Sequence, residues 1–210
     1  MQIVPHEIAF DFDGVVADTF RLFITLAKSQ YNVEINYDDI TDYEFLNVIR
    51  MDKEHALEII DTLTNYPHEL DLKPNTGAVD VLTRMAAISP LLCVTARPFG
   101  GPIEMWFEKH MPRLMPECIT VAATGVNTKK LEILTESNIR YFIDDRLDTC
   151  EMLSGAGITP ILYAQPWNRK PHPFIEVSNW SEIADLIRWS SLDPIESPCL
   201  KSEGNGRQSL

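Results

Sequence analysis

Short apolar segments alternate with helical patterns along most of the chain, and several of these segments stop at a polar residue of definite chemistry. Ile8, Ala9 and Phe10 run into Asp11 and Asp13. Residues 91–94 run into Thr95, and Tyr141, Phe142 and Ile143 run into Asp144 and Asp145. Residues 119–122 precede Lys129 and Lys130, which open a helical pattern. A fifth apolar run, 158–163, follows two glycines. Strands that alternate with helices pair in parallel and are covered on both faces, so the expected class is α/β with a Rossmann-like, three-layer core. In such a sheet, ligands sit at the carboxyl ends of the strands. The four polar points are therefore predicted to share one crevice.

The alternation is interrupted once. Between residues 17 and 75 no strand is predicted. Phe20, Phe23, Ile24, Ala27 and Tyr31 recur at helical spacing over 19–31, a short helix is expected near 43–49, and Ala56, Leu57, Ile60 and Leu63 mark a helix over 52–65. The expected organisation is a core of residues 1–16 and 76–192, a small helical cap over 17–75 inserted after the first strand, and a mobile polar tail over 193–210. The first strand is expected over 3–10. Thr128 is expected to cap the helix through Leu131 and Leu134, and Ser181 to cap a last helix over 180–189.

Composition narrows the partners. Asp and Glu number 31 against 18 Lys and Arg, a formal net charge of −13. A field of that sign repels phosphate, so binding to a nucleic acid polymer or an anionic membrane is not expected, whereas a small phosphorylated ligand held by a local cation is. No apolar window approaches the length of a spanning helix, and the first twelve residues lack a signal-peptide pattern. The four cysteines, 93, 118, 150 and 199, form no Cys-x-x-Cys pair; Cys93 and Cys150 are expected as buried thiols, and a reducing cytoplasm as the compartment. The five histidines are scattered and expected at the surface, and no Cys/His cluster suggests zinc.

The chemistry lies in the acids. Asp11 and Asp13, one residue apart on a turning chain, can divide nucleophilic attack and proton transfer between them. Two adjacent acids at a buried strand end, Asp144 and Asp145, repel unless a cation or hydrogen bonds satisfy them; with Asp11 they suggest a hard, oxygen-preferring ion, Mg2+. Thr95, with the backbone N–H groups of Ala96 and Arg97, can hold phosphate oxygens. Lys129 and Lys130 stand in the first turn of a helix, where a cation opposes the helix dipole unless it faces an anion. Lys130 is the expected phosphate ligand because Ile133 and Leu134 follow it at i+3 and i+4.

Taken in order, Ile-Ala-Phe-Asp11-Phe-Asp13-Gly14-Val-Val-Ala-Asp18-Thr, then Val-Thr95-Ala-Arg, then Lys130, then Phe-Ile-Asp144-Asp145-Arg, the chain resembles the haloacid dehalogenase superfamily across residues 8–146. The resemblance implies Mg2+-dependent phosphoryl transfer through an aspartyl-phosphate. It implies Asp11 as nucleophile and metal ligand, Asp13 as general acid/base with its backbone carbonyl on the metal, Thr95 and Lys130 on the phosphoryl group, and Asp144 and Asp145 completing the metal site. Thr95-Ala96-Arg97-Pro98, Asp144-Asp145-Arg146 and Gln165-Pro166-Trp167-Asn168-Arg169 are similar to the 5′-nucleotidase branch, of deoxyribonucleotidase type. The expected function is hydrolysis of a small phosphomonoester, a nucleoside monophosphate among the candidates. A sugar-phosphate or phosphoglycolate phosphatase and a phosphomutase are the enzyme alternatives. Dehalogenation is disfavoured, since attack on a carbon halide needs neither a second acid at Asp13 nor a cation. A non-catalytic ligand-binding protein is disfavoured by the intact set Asp11, Asp13, Thr95 and Asp144. Substrate identity and oligomeric state are left open by the sequence.

Overall fold

A computed structural model describes residues 2–189 and 199–201. Its centre is a six-stranded parallel sheet: β1 (Ile8–Phe10), β2 (Leu91–Thr95), β3 (Ile119–Ala123), β4 (Tyr141–Asp144), β5 (Thr159–Tyr163) and β6 (Ile175–Val177), in the order β3-β2-β1-β4-β5-β6. The expected α/β, Rossmann-like class is the observed one. Registers such as Phe10 opposite Cys93 and Ile143, and Cys93 opposite Val121, bring the strand ends level. The order reverses at β1, so chain leaving β1 lies between the ends of β2 and β4, at the position where open α/β sheets bind ligands.

The period of two in the strands sorts the layers. Phe10, Cys93, Ile143 and Ile161 face α3 (Ala78–Ala86), α4 (Gly101–His110) and α7 (Trp180–Leu186), in one core with Trp106, Phe107 and Trp180. Their neighbours Ala9, Val94 and Phe142 face the other way, into a smaller core with Leu134 of α5 (Lys130–Glu136) and Leu153 of α6 (Leu147–Gly155). Both sheet faces are buried, which is why these strands read as continuous apolar runs.

Residues 17–75 carry α1 (Thr19–Tyr31) and α2 (Lys53–Asn65). The two helices bury Phe23 and Ala27 against Ala56, Ile59 and Leu63, a third apolar cluster separate from the sheet. Burial of each large aliphatic side chain there contributes about 1.5–3 kcal/mol. Asp52 caps α2, its Oδ1 accepting from the N–H groups of Glu54 and His55, worth about 1 kcal/mol. A second patch, Phe20, Ile40 and Trp167, joins this helical layer to the core.

Several local expectations are corrected. The strand expected over 3–10 is confined to Ile8–Phe10, because Pro5, which lacks an N–H, starts a 3-10 turn over Pro5–Glu7. The segment around 43–49 holds a 3-10 turn at Phe45–Asn47. Thr128 caps nothing: a 3-10 turn over Asn127–Lys129 leads into α5, and the Lys130 N–H is taken by the Asn127 carbonyl. The last helix ends at Leu186, where Ile187 turns extended to bridge Ile3, and its cap is Asn179, which accepts from the Glu182 N–H. Strand β6 escaped the sequence reading because two of its three residues, Ile175 and Glu176, are exposed.

The cysteines divide into two kinds. Cys93 and Cys150 are free and buried. Cys118 and Cys199 form a disulfide across 81 residues, a pairing the sequence reading did not make. Of the tail expected to be mobile, only 199–201 fall within the described residues. These are held by the disulfide, by Met115 N–H donating to the Cys199 carbonyl and by Lys201 N–H donating to the Arg113 carbonyl. Of the five histidines, His68, His110 and His172 are half-buried rather than exposed. Among the described residues no helix is long and apolar enough to cross a membrane.

Candidate active site

The chain leaves β1 in the extended direction, with the Asp11 N–H donating to the Ile143 carbonyl at 2.9 Å, and then turns sharply. The turn is fixed from outside. Its Gly14 carbonyl accepts from Asn75 Nδ2 at 3.2 Å and from Gln165 Nε2 at 2.7 Å. Its Val15 carbonyl accepts from Asn75 Nδ2 at 2.7 Å and from Trp180 Nε1 at 3.0 Å. Three residues far apart in sequence thus hold the loop that carries both acids; Gln165 opens the 165–169 string that the resemblance set apart, while no local signal marked Asn75 or Trp180 for this role. Gly14 has φ +71, and a Cβ there would collide with the Asp145 carboxylate.

Asp11, Asp144 and Asp145 converge at the ends of β1 and β4, each buried, each offering an oxygen within 4.8 Å of the others. Lys130 lies among them with its side chain 1% exposed. Its Nζ is 2.9 Å from Asp11 Oδ2 and donates to Asp144 Oδ2 at 2.8 Å. Burial alone would lower the Lys130 pKa, but the two carboxylates outweigh it and hold the ammonium charged. Lys129, one residue earlier, is exposed. Asp144 Oδ1 accepts the Arg146 N–H at 2.8 Å. Asp145 Oδ2 accepts from Trp167 Nε1 at 3.2 Å, while the Asp145 carbonyl accepts from Asn168 Nδ2. Trp167 and Asn168 thereby serve the Asp144–Asp145 corner from within the protein.

The charges do not balance. Burial first, then Asp144 and Asp11, push the Asp145 carboxyl far above the usual carboxylate range. Burial likewise lifts Asp11 to about 7, with Asp144 and Asp13 adding to it and Lys130 opposing. Asp145 Oδ1 is buried with no hydrogen-bond partner. Three buried carboxylates, one ammonium and one orphaned carboxylate oxygen make an all-oxygen donor set short of positive charge, and a hard divalent cation such as Mg2+ fits it.

Asp13 departs from that group. Its carboxylate is outside the three-acid cluster and turned toward Arg97, whose Nε donates to Oδ2 at 2.8 Å and Nη2 to Oδ1 at 2.7 Å, while Thr19 Oγ1 donates to Oδ1 at 2.5 Å. Burial would raise the Asp13 pKa, but the Arg97 guanidinium overrides it and holds the group ionised. The Arg97 N–H donates to Thr95 Oγ1 at 3.2 Å. Thr95, Ala96, Arg97 and Lys130 line, with Asp11, Asp13, Tyr43, Thr64 and Arg146, a cavity of about 240 Å3. Arg146 stacks on the Tyr43 ring at 3.9 Å, a pairing between the core and the helical layer that sequence gave no hint of.

A family model described as 5′ nucleotidase, deoxy (pyrimidine), cytosolic type C protein matches residues 5–192. The chain belongs to this family. It is thereby a phosphatase/nucleotidase-type hydrolase. Solved structures of similar fold agree in architecture. A HAD-superfamily hydrolase from Ehrlichia chaffeensis superposes with TM-score 0.55 at 17% identity, covering 88% of this chain and 96% of that one. CbbY from Rhodobacter sphaeroides, solved in complex with phosphate, gives 0.54 at 16%, covering 84% and 95%. A haloacid dehalogenase-like hydrolase from Streptococcus pneumoniae gives 0.55 at 13%, covering 85% and 96%. No curated protein matches the sequence.

In this nucleotidase-family chain, Gly14→Ala is expected to lower both stability and turnover. The left-handed backbone costs an alanine about 1–2 kcal/mol, and the new methyl displaces Asp145 from its place beside Asp144. A melting curve and kcat/KM measured side by side check it; wild-type values of both would show that the loop accommodates the methyl.

Proposed function

We propose that the chain hydrolyses small phosphomonoesters through a phosphorylated Asp11, with Mg2+ held by Asp11, Asp144 and Asp145, and that nucleoside monophosphates are among its substrates. The observation that carries this reading is the buried Asp11–Lys130–Asp144 ion-pair chain beside the orphaned Asp145 Oδ1. The metal, when bound, offsets charge on Asp11 and on the phosphoryl oxygens so that the two anions can approach.

Asp11 Oδ attacks phosphorus, and the ester oxygen leaves with a proton from Asp13, which first takes that proton up from the monoanionic phosphate ester because Arg97 holds the resting carboxylate ionised. Lys130, 2.9 Å from Asp11, neutralises charge gathering on the phosphoryl oxygens. Asp13 then takes a proton from the water that hydrolyses the aspartyl-phosphate. Thr95 and Ala96 shape the phosphate end of the cavity. The helical layer of residues 17–75 acts as the cap, since Tyr43 and Thr64 close the same cavity from its side. The cavity's size supports a small ester rather than a nucleic acid polymer. The family description supports a cytoplasmic setting, against which stands the Cys118–Cys199 disulfide.

The test is turnover of p-nitrophenyl phosphate and a panel of nucleoside 5′-monophosphates with and without Mg2+. Mg2+-dependent phosphate release is expected, and absence of turnover on every ester would overturn the reading.

The metal also has a stability signature. In metal-free protein the native Asp11 pKa of about 7 lies above its ordinary 3.8, so between these values the native state binds protons more tightly than the unfolded chain. Stability then falls as pH rises through that window. A cation replaces the proton, so the Tm rise on adding Mg2+ is expected to be larger at pH 8 than at pH 5. At a hundredfold excess over Kd it should reach about 5–10 °C. Equal shifts at both pH values, or none where Mg2+ supports activity, would argue against the site.

A further inference from the structure

Two cavities meet at the Asp13 carboxylate. The first is the cavity of about 240 Å3 that contains Asp11 and Lys130. The second, about 160 Å3, is walled by Phe20, Phe23, Phe45, Ile60 and Leu63 of the helical layer. Asp13, Tyr43, Thr64 and Arg97 line both cavities.

Arg97 uses its whole guanidinium between these two linings. Nε and Nη2 grip the two Asp13 oxygens as a fork. Nη1 points the other way and donates to the Leu63 carbonyl at 2.7 Å and the Thr64 carbonyl at 3.2 Å, both in the last turn of α2. Those carbonyls have no partner within the helix once it ends, so a cation there satisfies them and the helix dipole together. The guanidinium is 7% exposed and lies over the Phe12 ring. A planar fork fixes direction as well as charge, which a lysine ammonium cannot do.

We propose that Arg97 is a positioning residue that aims the Asp13 carboxylate at the ester oxygen, and that its anchor on the end of α2 makes this aim depend on how the helical layer sits on the core. The proposal rests on the phosphatase reading above. Arg97 needs no contact with substrate in this role.

The experiment compares wild type, Arg97→Gln and Arg97→Lys, each also in an Asp13→Asn background, on p-nitrophenyl phosphate and on a nucleoside 5′-monophosphate with Mg2+. An alkyl leaving group needs the proton from Asp13, and an aryl one does not. Arg97→Gln should therefore lower kcat on the nucleotide about 10²-fold and on the aryl ester less than about tenfold, with KM changed little. Arg97→Lys should not restore the nucleotide rate. With Asp13 already replaced, Arg97→Gln should leave the ratio of the two rates unaltered, because its target is gone. Amide hydrogen exchange at residues 63–66 should be faster in Arg97→Lys than in wild type.

Equal losses on both esters, a loss confined to KM, or full rescue by lysine would each overturn the aiming role. Unchanged exchange at 63–66 would overturn the α2 anchor. Should Arg97→Gln not fold, Arg97→Lys and the double variant, which leaves no buried charge unpaired at this pair, carry the comparison. Wild type inactive on both esters would instead overturn the phosphatase reading, and this role with it.

Discussion

Replacing Asp11 by asparagine is expected to abolish turnover while leaving the protein folded. The amide oxygen occupies the carboxylate's place but is a poor nucleophile toward phosphorus, so kcat should fall on the order of 10⁴-fold or more. The fold should persist because Asp11 is one of three acids crowded at the ends of β1 and β4, and Lys130 keeps Asp144 as a partner when Asp11 loses its charge. Burial already lifts the Asp11 pKa to about 7, which means that the ionised form is disfavoured there in metal-free protein. In chelator the variant should therefore melt at or above the wild-type temperature near pH 8, where wild-type Asp11 is ionised. In Mg2+ the order should reverse, since the variant has given up a charged ligand. Phosphate release and paired melting curves in Mg2+ and chelator check all three expectations. A near wild-type kcat would exclude a covalent route through Asp11.

The second large effect is at Asp13. Asp13→Asn should cost about 10²- to 10⁴-fold on an alkyl phosphate, the usual worth of general acid–base help. The aryl ester should suffer less in the phosphorylation step, because nitrophenolate leaves readily as an anion. A burst of nitrophenolate followed by slow turnover is expected, since the variant also lacks the base for the attacking water. Stability should fall as well. Arg97 would remain buried with its guanidinium facing an amide, and breaking a buried ion pair from one side costs about 3 kcal/mol. Pre-steady-state kinetics on both esters separate the two steps. Equal losses in phosphorylation for aryl and alkyl esters would remove Asp13 from the acid role.

Arg97 also bears on pH. Because the guanidinium overrides burial and keeps Asp13 ionised, Asp13 rests in the form suited to taking a proton from water. Donation to the leaving group requires that the carboxyl first be protonated. The two halves of the reaction therefore ask opposite things of one residue, and the fork with Thr19 behind it holds that residue in place for both.

The chain's local patterns determined five of the six strands, most of the helices and the address of the site. Apolar runs over β2, β4 and β5 could be read because these strands are covered on both faces; β3, at the sheet edge and only half-buried, could be read from its residue types alone. Helix α1 could be read because its period of 3.6 is unbroken from Phe20 to Tyr31. Acids at the ends of β1 and β4 marked the crevice, since parallel strands end on the same edge. Where a residue's neighbour is remote, the sequence was silent. Arg97 finds Asp13 across 84 positions and α2 across 34; Trp167 finds Asp145 across 22; Cys118 finds Cys199 across 81. None of these pairs shares a strand or a helix face, so no periodicity encodes it. Arg97 shows the difference most clearly: its position after β2 suggested a backbone donor to phosphate, but the guanidinium is long enough to reach both the β1 loop and α2. The pairing of β1 with β2 brings the anion within its reach, and only the packing of the helical layer against the sheet brings the two α2 carbonyls there; that packing is decided by tertiary contacts such as Phe20 against Trp167 rather than by any local preference of the chain.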